Sequence, residues 1–405
     1  MKNKIKMKKI LIKTFISAII ILILIFFKHY EDPQGKKKLI ETNFVQLEID
    51  KHHLFSETFF IAYNKKNSKI YAINRNHGDI YLVSMDDNYE NPIKEKFISL
   101  PKNGSIANIF VLDISYDDHK IYVSAVNEKS INRECYYLTL FEYDLNTKVW
   151  NEIFKSTPCI AKIGFHDIGG RITHNSKNIF LSGGNIFSNE LNPYNYGLKN
   201  INQTYKDLIS STNIFGSIVQ INKKTKSHKK ISYGHRTPGG LFWDHSRNIL
   251  WETEHGPRGG DELNIIKKNQ NYGWPNVTLG KTYIRKTPSE YNTQYNSHQD
   301  FDQPYFSWTP SIGISQLGVV SSNGNFSQYW NGNDLIISSL KDKSLYRNRI
   351  EKDKVIYSER IYINERIRSL VVSENVIISS TDDGKLLIIK PSEKPLTDGP
   401  FPSLK

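Results

Sequence analysis

Cysteine is almost missing from this chain: its 405 residues include only Cys135 and Cys159. Two thiols this far apart match no zinc or redox spacing, which excludes a zinc finger or a C-x-x-C oxidoreductase. In an oxidising compartment the pair either forms one disulfide or stays as two buried thiols, and both readings are open. Common catalytic signatures are missing too. There is no G-x-S-x-G and no H-E-x-x-H. Gly280-Lys281-Thr282 ends like a phosphate-binding loop, but Pro275 stands where that loop needs glycine. Arg258-Gly259-Gly260 runs into DELNII, which alternates like a strand and opens no dinucleotide-binding helix.

Acidic residues are scarce at the N-terminus. Residues 1–38 hold ten lysines against Glu31 and Asp32, which places +8 of the formal +13 there. The other 367 residues carry only +5 and contain no RNP, zinc-finger or basic-helix pattern, so nucleic acid is not an expected partner. After MKNKIKMKK comes ILIKTFISAIIILILIFF, an apolar run interrupted by Lys13 and followed by bulky FFKHYEDP rather than a small-residue cleavage site. Residues 1–27 therefore read as an uncleaved signal anchor. The lysines hold its start in the cytoplasm, so the domain faces outward from the cell membrane, into the periplasm of a Gram-negative cell. The alternative is a signal removed on secretion. Residues 28–45 read as a linker, 46–395 as the globular part and 396–405 as a tail.

What fills the globular part is short alternation. Long helical periodicity is scarce, and runs of β-branched and aromatic residues are cut by Asn, Gly, Asp and Ser, which predicts an all-β fold. One unit recurs: strand, polar loop, strand. It begins at Lys69 (KIYAINRNHGDIYLVS), Lys120 (KIYVSAVNEK), Asn178 (NIFLSGGN), Asn248 (NILWETEHGPRGGDELNIIK), Asp334 (DLIISSLKDKSLYRNRI) and Val376 (VIISSTDDGKLLIIKP). A small sheet cannot bury both its faces alone, so six such units predict a six-bladed β-propeller. The fourth unit is the unusual one. Glu254, His255, Arg258, Asp261 and Glu262 crowd around three glycines and a proline. This is either a polar hairpin or a loop whose oxygens hold a hard cation.

Several segments resemble the glucose/sorbosone dehydrogenase family in their order: GHRTPGGLFWD, ETEHGPRGGDELN, NYGWP, HDIGGRI, WTPSI, SLKDKSLYR and RIRSL. The resemblance runs over roughly residues 65–392. It implies a six-bladed propeller that uses pyrroloquinoline quinone (PQQ) and calcium to oxidise an aldose sugar or related hydroxyl or aldehyde compound. Its sites carry over residue by residue. Arg236, Lys341, Arg366 and Arg368 match cations that hold the quinone's three carboxylates, as a planar guanidinium fork suits. Trp308 matches an aromatic beside the quinone, and Ser311 in WTPSI, Thr237 and Asn108 match its polar contacts. The carbonyls of Gly256 and Pro257 match the calcium at the quinone. Glu262 and the carbonyl of Tyr272 match a second, structural calcium, and Asp261 supports that loop.

The chain departs from the pattern at four places. The family's basic histidine lies four residues before the arginine matched by Arg171. Here that position is Asp167, with His166 one residue early. Arg236 is the arginine expected to polarise the reacting oxygen. A family Asn is Thr237, a Gln is Asn108, and a further Gln is Gly239. Two functions follow. One is a quinoprotein dehydrogenase with a small sugar substrate and an unidentified electron acceptor. The other is a catalytically inactive propeller binding a carbohydrate or a protein.

Overall fold

The computed structural model describes residues 37–101, 109–128, 136–157, 167–184, 213–281, 294–295 and 298–392. Six antiparallel sheets follow one another as blades. Blade 1 takes Phe59–Asn64, Lys69–Asn74, Asp79–Ser84 and Ile93–Ser99. Blade 2 takes Ile109–Asp117, Lys120–Glu128, Tyr136–Asp144 and Val149–Lys155. Blade 3 takes Gly169–His174, Asn178–Gly183, Ser217–Asn222 and His228–Tyr233, with Gln270–Asn271 added in parallel. Blade 4 takes Pro238–Asp244, Ile249–Glu254, Asp261–Ile265 and Phe306–Trp308. Blade 5 takes Ile314–Val319, Leu335–Ser339, Ser344–Glu351 and Lys354–Tyr362. The first strands of neighbouring blades lie side by side, blade 6 against blade 1 included, and so ring an axial channel. This is the six-bladed propeller the repeats predict.

Blade 6 shows what the repeats did not. Ile367–Val372, Ile377–Thr381 and Lys385–Pro391 are completed by Gln46–His53 from the other end of the chain, with Leu47 opposite Pro391 and Ile49 opposite Ile389. The ring is thus closed by backbone hydrogen bonds, with Leu47, Ile49, Leu387 and Ile389 fully buried beneath. Each such side chain contributes about 1.5–3 kcal/mol by leaving water. Within the stretch read as a linker, Lys38–Glu41 forms an edge strand beside Gln46–His53.

The six recurring sequence units are the second and third strands of each blade. The tight hairpins between first and second strands, and between third and fourth, have a local chemical cause. Asn64, Asp144, Asn222 and Asp244 each accept a backbone N–H two residues on through their Oδ1. Ser68, Lys148, Lys226 and Asn248, four residues after them, take positive φ and turn the chain back. Asx turns of this kind are self-contained, which is why the repeat is readable without an alignment. The connections between second and third strands leave from the opposite end and surround the channel mouth.

Among the described residues no helix is long and apolar enough to cross a membrane. The apolar run at 10–27, the 396–405 tail, Cys135, Cys159, Asn108 and His166 lie outside the described residues.

Candidate active site

Strand parity in ILWETE decides what the seam between blades 3 and 4 contains. Trp251 and Thr253 face blade 5, whereas Leu250, Glu252 and Glu254 face blade 3, since alternate side chains point to opposite faces. The next strand sets Asn264 opposite Glu252 and Glu262 opposite Glu254. The far half of the seam is apolar, with Phe180, Ile218, Ile231, Leu241 and Leu250. The half nearer the mouth is a square of Glu252, Glu254, Glu262 and Asn264, each at most 5 % exposed. Asn264 donates to both Glu252 (3.1 Å) and Glu262 (3.3 Å). Burial, then the neighbouring carboxylates, pushes Glu252 and Glu262 well above the usual carboxylate range.

His235 borders the square with its Nδ1 3.4 Å from Glu254, and its ring stacks on Tyr272 at 4.6 Å. Burial lowers His235 to about 3, so it is neutral and adds no cation. Glu252 Oε1, Asn264 Oδ1, His235 Nδ1 and His298 Nε2 are buried with no hydrogen-bond partner among the described residues. Three enclosed carboxyl groups with unmet oxygen and nitrogen atoms fit a divalent cation better than they fit one another. Of the expected set, Glu262 lies in this square, and Tyr272 adjoins it through its ring, stacked on His235.

Above the square runs the HGPRGG loop. Asp261, fully buried, ties it down: Oδ1 accepts from Gly256 N (3.2 Å) and the Ser311 hydroxyl (2.9 Å), and Oδ2 from Gly313 N (2.7 Å) and Ile314 N (3.0 Å). Ser311 also accepts from Gly259 N (3.0 Å), so its hydroxyl braces this loop. The reason for glycine at 256 is packing: a Cβ there would sit 2.2 Å from the Gly260 carbonyl and 2.3 Å from that of Gly259. Arg236 crosses beneath, donating through Nη1 to the His255 carbonyl (3.0 Å) and approaching that of Gly256 (3.4 Å), with Trp274 5.2 Å away. Pro257 is buried in the same turn. Of the two carbonyls expected to meet a metal, that of Gly256 thus lies against the Arg236 guanidinium.

The expected cations reach the mouth from separate blades. Lys341 stands exposed in the second-to-third-strand loop of blade 5. Arg366 and Arg368, at the start of blade 6, share Asp382 in that blade's corresponding loop (2.9, 2.7 and 2.9 Å). Burial raises the Asp382 carboxyl, but these two arginines outweigh it and hold it below the usual range. Trp308 is 7 % exposed, edge-on to Phe306 and Tyr346 and enclosed with Trp251, Leu263 and Ile312. Thr237 is buried at the channel wall, its hydroxyl without a partner among the described residues. Asp167 is half-buried just before blade 3's first strand, its carbonyl against the backbone of Gly184.

Three residues line the channel wall in roles the sequence did not assign: Arg75, which was not singled out, Arg171 as a channel cation, and His255, read only as part of the polar loop. Burial lowers Arg75 to about 9 and Arg171 to about 10, with other arginines adding to the effect. Burial likewise holds His255 down near 4. Aligning the repeats would have pointed from His255 to Arg75, because both come directly after a blade's second strand.

A family profile described as Glucose / Sorbosone dehydrogenase matches residues 61–389. Among curated proteins, aldose sugar dehydrogenase YliI of Escherichia coli (strain K12) is 34% identical over 165 residues, 40% of this chain and 43% of that protein. The chain's matches span less than half the length of the curated relatives. Among solved structures, the soluble aldose sugar dehydrogenase of E. coli in its apo-form gives a TM-score of 0.65 at 21% identity, covering 85% of this chain and 100% of the other. The PQQ-bound aldose sugar dehydrogenase of Streptomyces coelicolor gives 0.58 at 16%, covering 89% and 100%. Both share the propeller fold.

Proposed function

The chain belongs to the glucose/sorbosone dehydrogenase family, and on that premise we propose that it oxidises the C1 hydroxyl of an aldose, or a related hydroxyl or aldehyde compound, with PQQ and calcium. The relative named aldose sugar dehydrogenase and the PQQ-bound neighbour support this reading. The observation that carries it is the gathering of Arg236, Lys341, Arg366 and Arg368, from three blades, around one mouth beside a buried carboxylate square.

Bound PQQ would supply a two-electron acceptor and calcium a Lewis acid. The chain's own residues do the rest. Arg366 and Arg368 share one carboxylate, that of Asp382, and the positive charge left over suits a ligand with three carboxylates. Arg236 is held between two loop carbonyls, so its fork is pre-organised toward the channel. Asp261 and Ser311 keep the Gly256–Pro257 carbonyls in place for a metal. The substrate proton goes to the His166–Asp167 pair. Asp167 in the position of the family's histidine is the observation that favours the second reading, an inactive propeller that binds a carbohydrate or a protein. The domain is proposed to face outward on its N-terminal anchor.

The test is titration of the purified, metal-free chain with PQQ, with and without calcium, followed by an aldose panel read as loss of quinone absorbance. Calcium-dependent binding followed by reduction is the expected result. Binding with no reduction by any sugar would favour the inactive propeller, and no binding would overturn the quinoprotein reading.

A further inference from the structure

The channel holds more positive charge than a quinone requires. Apart from the four cations assigned above, Arg75 and Arg171 point into it from blades 1 and 3. Arg171 is 4 % exposed. Its Nη2 donates to the Arg368 carbonyl (3.4 Å), and its Nη1 lies 3.7 Å from Asp113, beyond hydrogen-bond distance. Asp113 itself accepts from the Ile172 N–H (3.0 Å). Arg75 has less: its guanidinium makes no hydrogen bond or ion pair among the described residues, and its buried Nε has no partner. It lies 5.0 Å from the ring centres of both Phe60 and Phe110, while Arg171 lies 5.2 Å from the same Phe60 ring. The carboxylates that act on it, Asp382 and Glu57, do so only from beyond hydrogen-bond and ion-pair distance.

Two guanidiniums sharing one aromatic ring repel each other, and the rings around them cannot neutralise either. Such an arrangement is stable in a partly closed channel when an anion completes it. We propose that Arg75 and Arg171 form an anion subsite for the substrate itself, so that the preferred substrate is an acidic sugar, one with a carboxylate or phosphate remote from C1. The proposal rests on the sugar-oxidising reading. It adds that the acidic group takes no part in the oxidation and serves to orient C1. A planar fork recognises both kinds of anion, so the source is left to the experiment.

The experiment compares D-glucuronate, D-glucose 6-phosphate and D-glucose as reductants of the PQQ- and calcium-loaded protein, in wild type, Arg75→Gln and Arg75→Lys. We expect KM for at least one acidic sugar to lie below that for glucose by about tenfold or more, the size of one charge-assisted hydrogen bond. The preference should collapse in Arg75→Gln and survive in part in Arg75→Lys. Which acid wins separates carboxylate from phosphate. Equal KM values for acid and neutral sugars, or a preference that survives Arg75→Gln, would overturn the proposal. Calorimetric titration of the quinone-free protein with glucuronate and with inorganic phosphate separates the two readings if no sugar is oxidised. Binding lost in Arg75→Gln would then keep the anion subsite while the dehydrogenase falls, and absence of binding would remove the subsite. Should Arg75→Gln fail to fold, Arg75→Lys decides by its weakened selectivity.

Discussion

Arg347 in blade 5 and Arg75 at the end of blade 1's second strand both lie against aromatic faces, yet their surroundings differ in kind. Arg347 is fully buried among Phe44, Trp330 and Tyr357 and is neutralised twice, by Asp334 (2.7 Å) and by Glu359 (2.8 Å). Arg75 stacks on Phe60 and Phe110 with no carboxylate in hydrogen-bond range among the described residues. Arg171 and Arg368 fall between: one has a loosely placed Asp113, the other a forked bond to Asp382. The series separates structural arginines from functional ones. Where the fold supplies both charges, the pair stabilises the protein. Where it supplies only the cation, the missing partner comes from outside.

The largest effect belongs to the paired end. Arg347→Met leaves Asp334 and Glu359 buried without their main cation and should cost about 3–5 kcal/mol in urea unfolding. The triple variant Arg347→Met, Asp334→Asn, Glu359→Gln should recover much of that loss. A small loss in the single variant would break the comparison at its strongest point.

Next comes Asp113, whose carboxyl burial raises to about 6 despite Arg171 and the Ile172 N–H. Its folded pKa lies above the unfolded value near 4, so its favourable contribution is complete below pH 4 and is lost as pH rises through 6. The loss amounts to about 2–3 kcal/mol. Asp113→Asn, which carries no such titration, should therefore gain on wild type by that amount between pH 4 and 7. A parallel pH dependence in the two proteins would show that Arg171 already neutralises Asp113, and would move Arg171 to the paired class.

How much of this could be read from sequence depends on how local its cause is. The blades were legible because four of their hairpins carry their own Asx residue and their own left-handed residue, as at Asp244 and Asn248. The HGPRGG loop was legible as a motif, and the structure adds that the Gly259 and Gly260 carbonyls leave no room for a Cβ at 256. The closing strand Gln46–His53 was not, since its partner Lys385–Pro391 lies at the far end of the chain and nothing in QLEIDKHH names it. Arg75 was missed because a lone arginine in INRNHG reads as a loop cation. Only the ring of blades turns that position inward, beside Arg171.

A middle effect is expected at Asp382. It is partly exposed and accepts from Arg366 and Arg368, so Asp382→Asn should cost about 1–2 kcal/mol, less in high salt. A loss as large as that of Arg347→Met would mean that this corner is structural and that its arginines are not poised for a ligand.

The smallest effect is the most informative. Arg75→Met keeps the volume between Phe60 and Phe110, removes a desolvated charge and relieves its repulsion with Arg171. Lost stacking and gained relief oppose each other, so unfolding free energy should move by no more than about 1 kcal/mol in either direction. An arginine that can be removed at no cost to the fold, from a position this enclosed, is one the fold did not need. The contrast sharpens when glucuronate or phosphate is added. A ligand that binds only the native state raises its stability by mass action, so wild type should melt higher with rising anion concentration while Arg75→Met does not. If Arg75→Met unfolds the protein without ligand, Arg75 joins Arg347 as a structural cation, and the line drawn between them disappears.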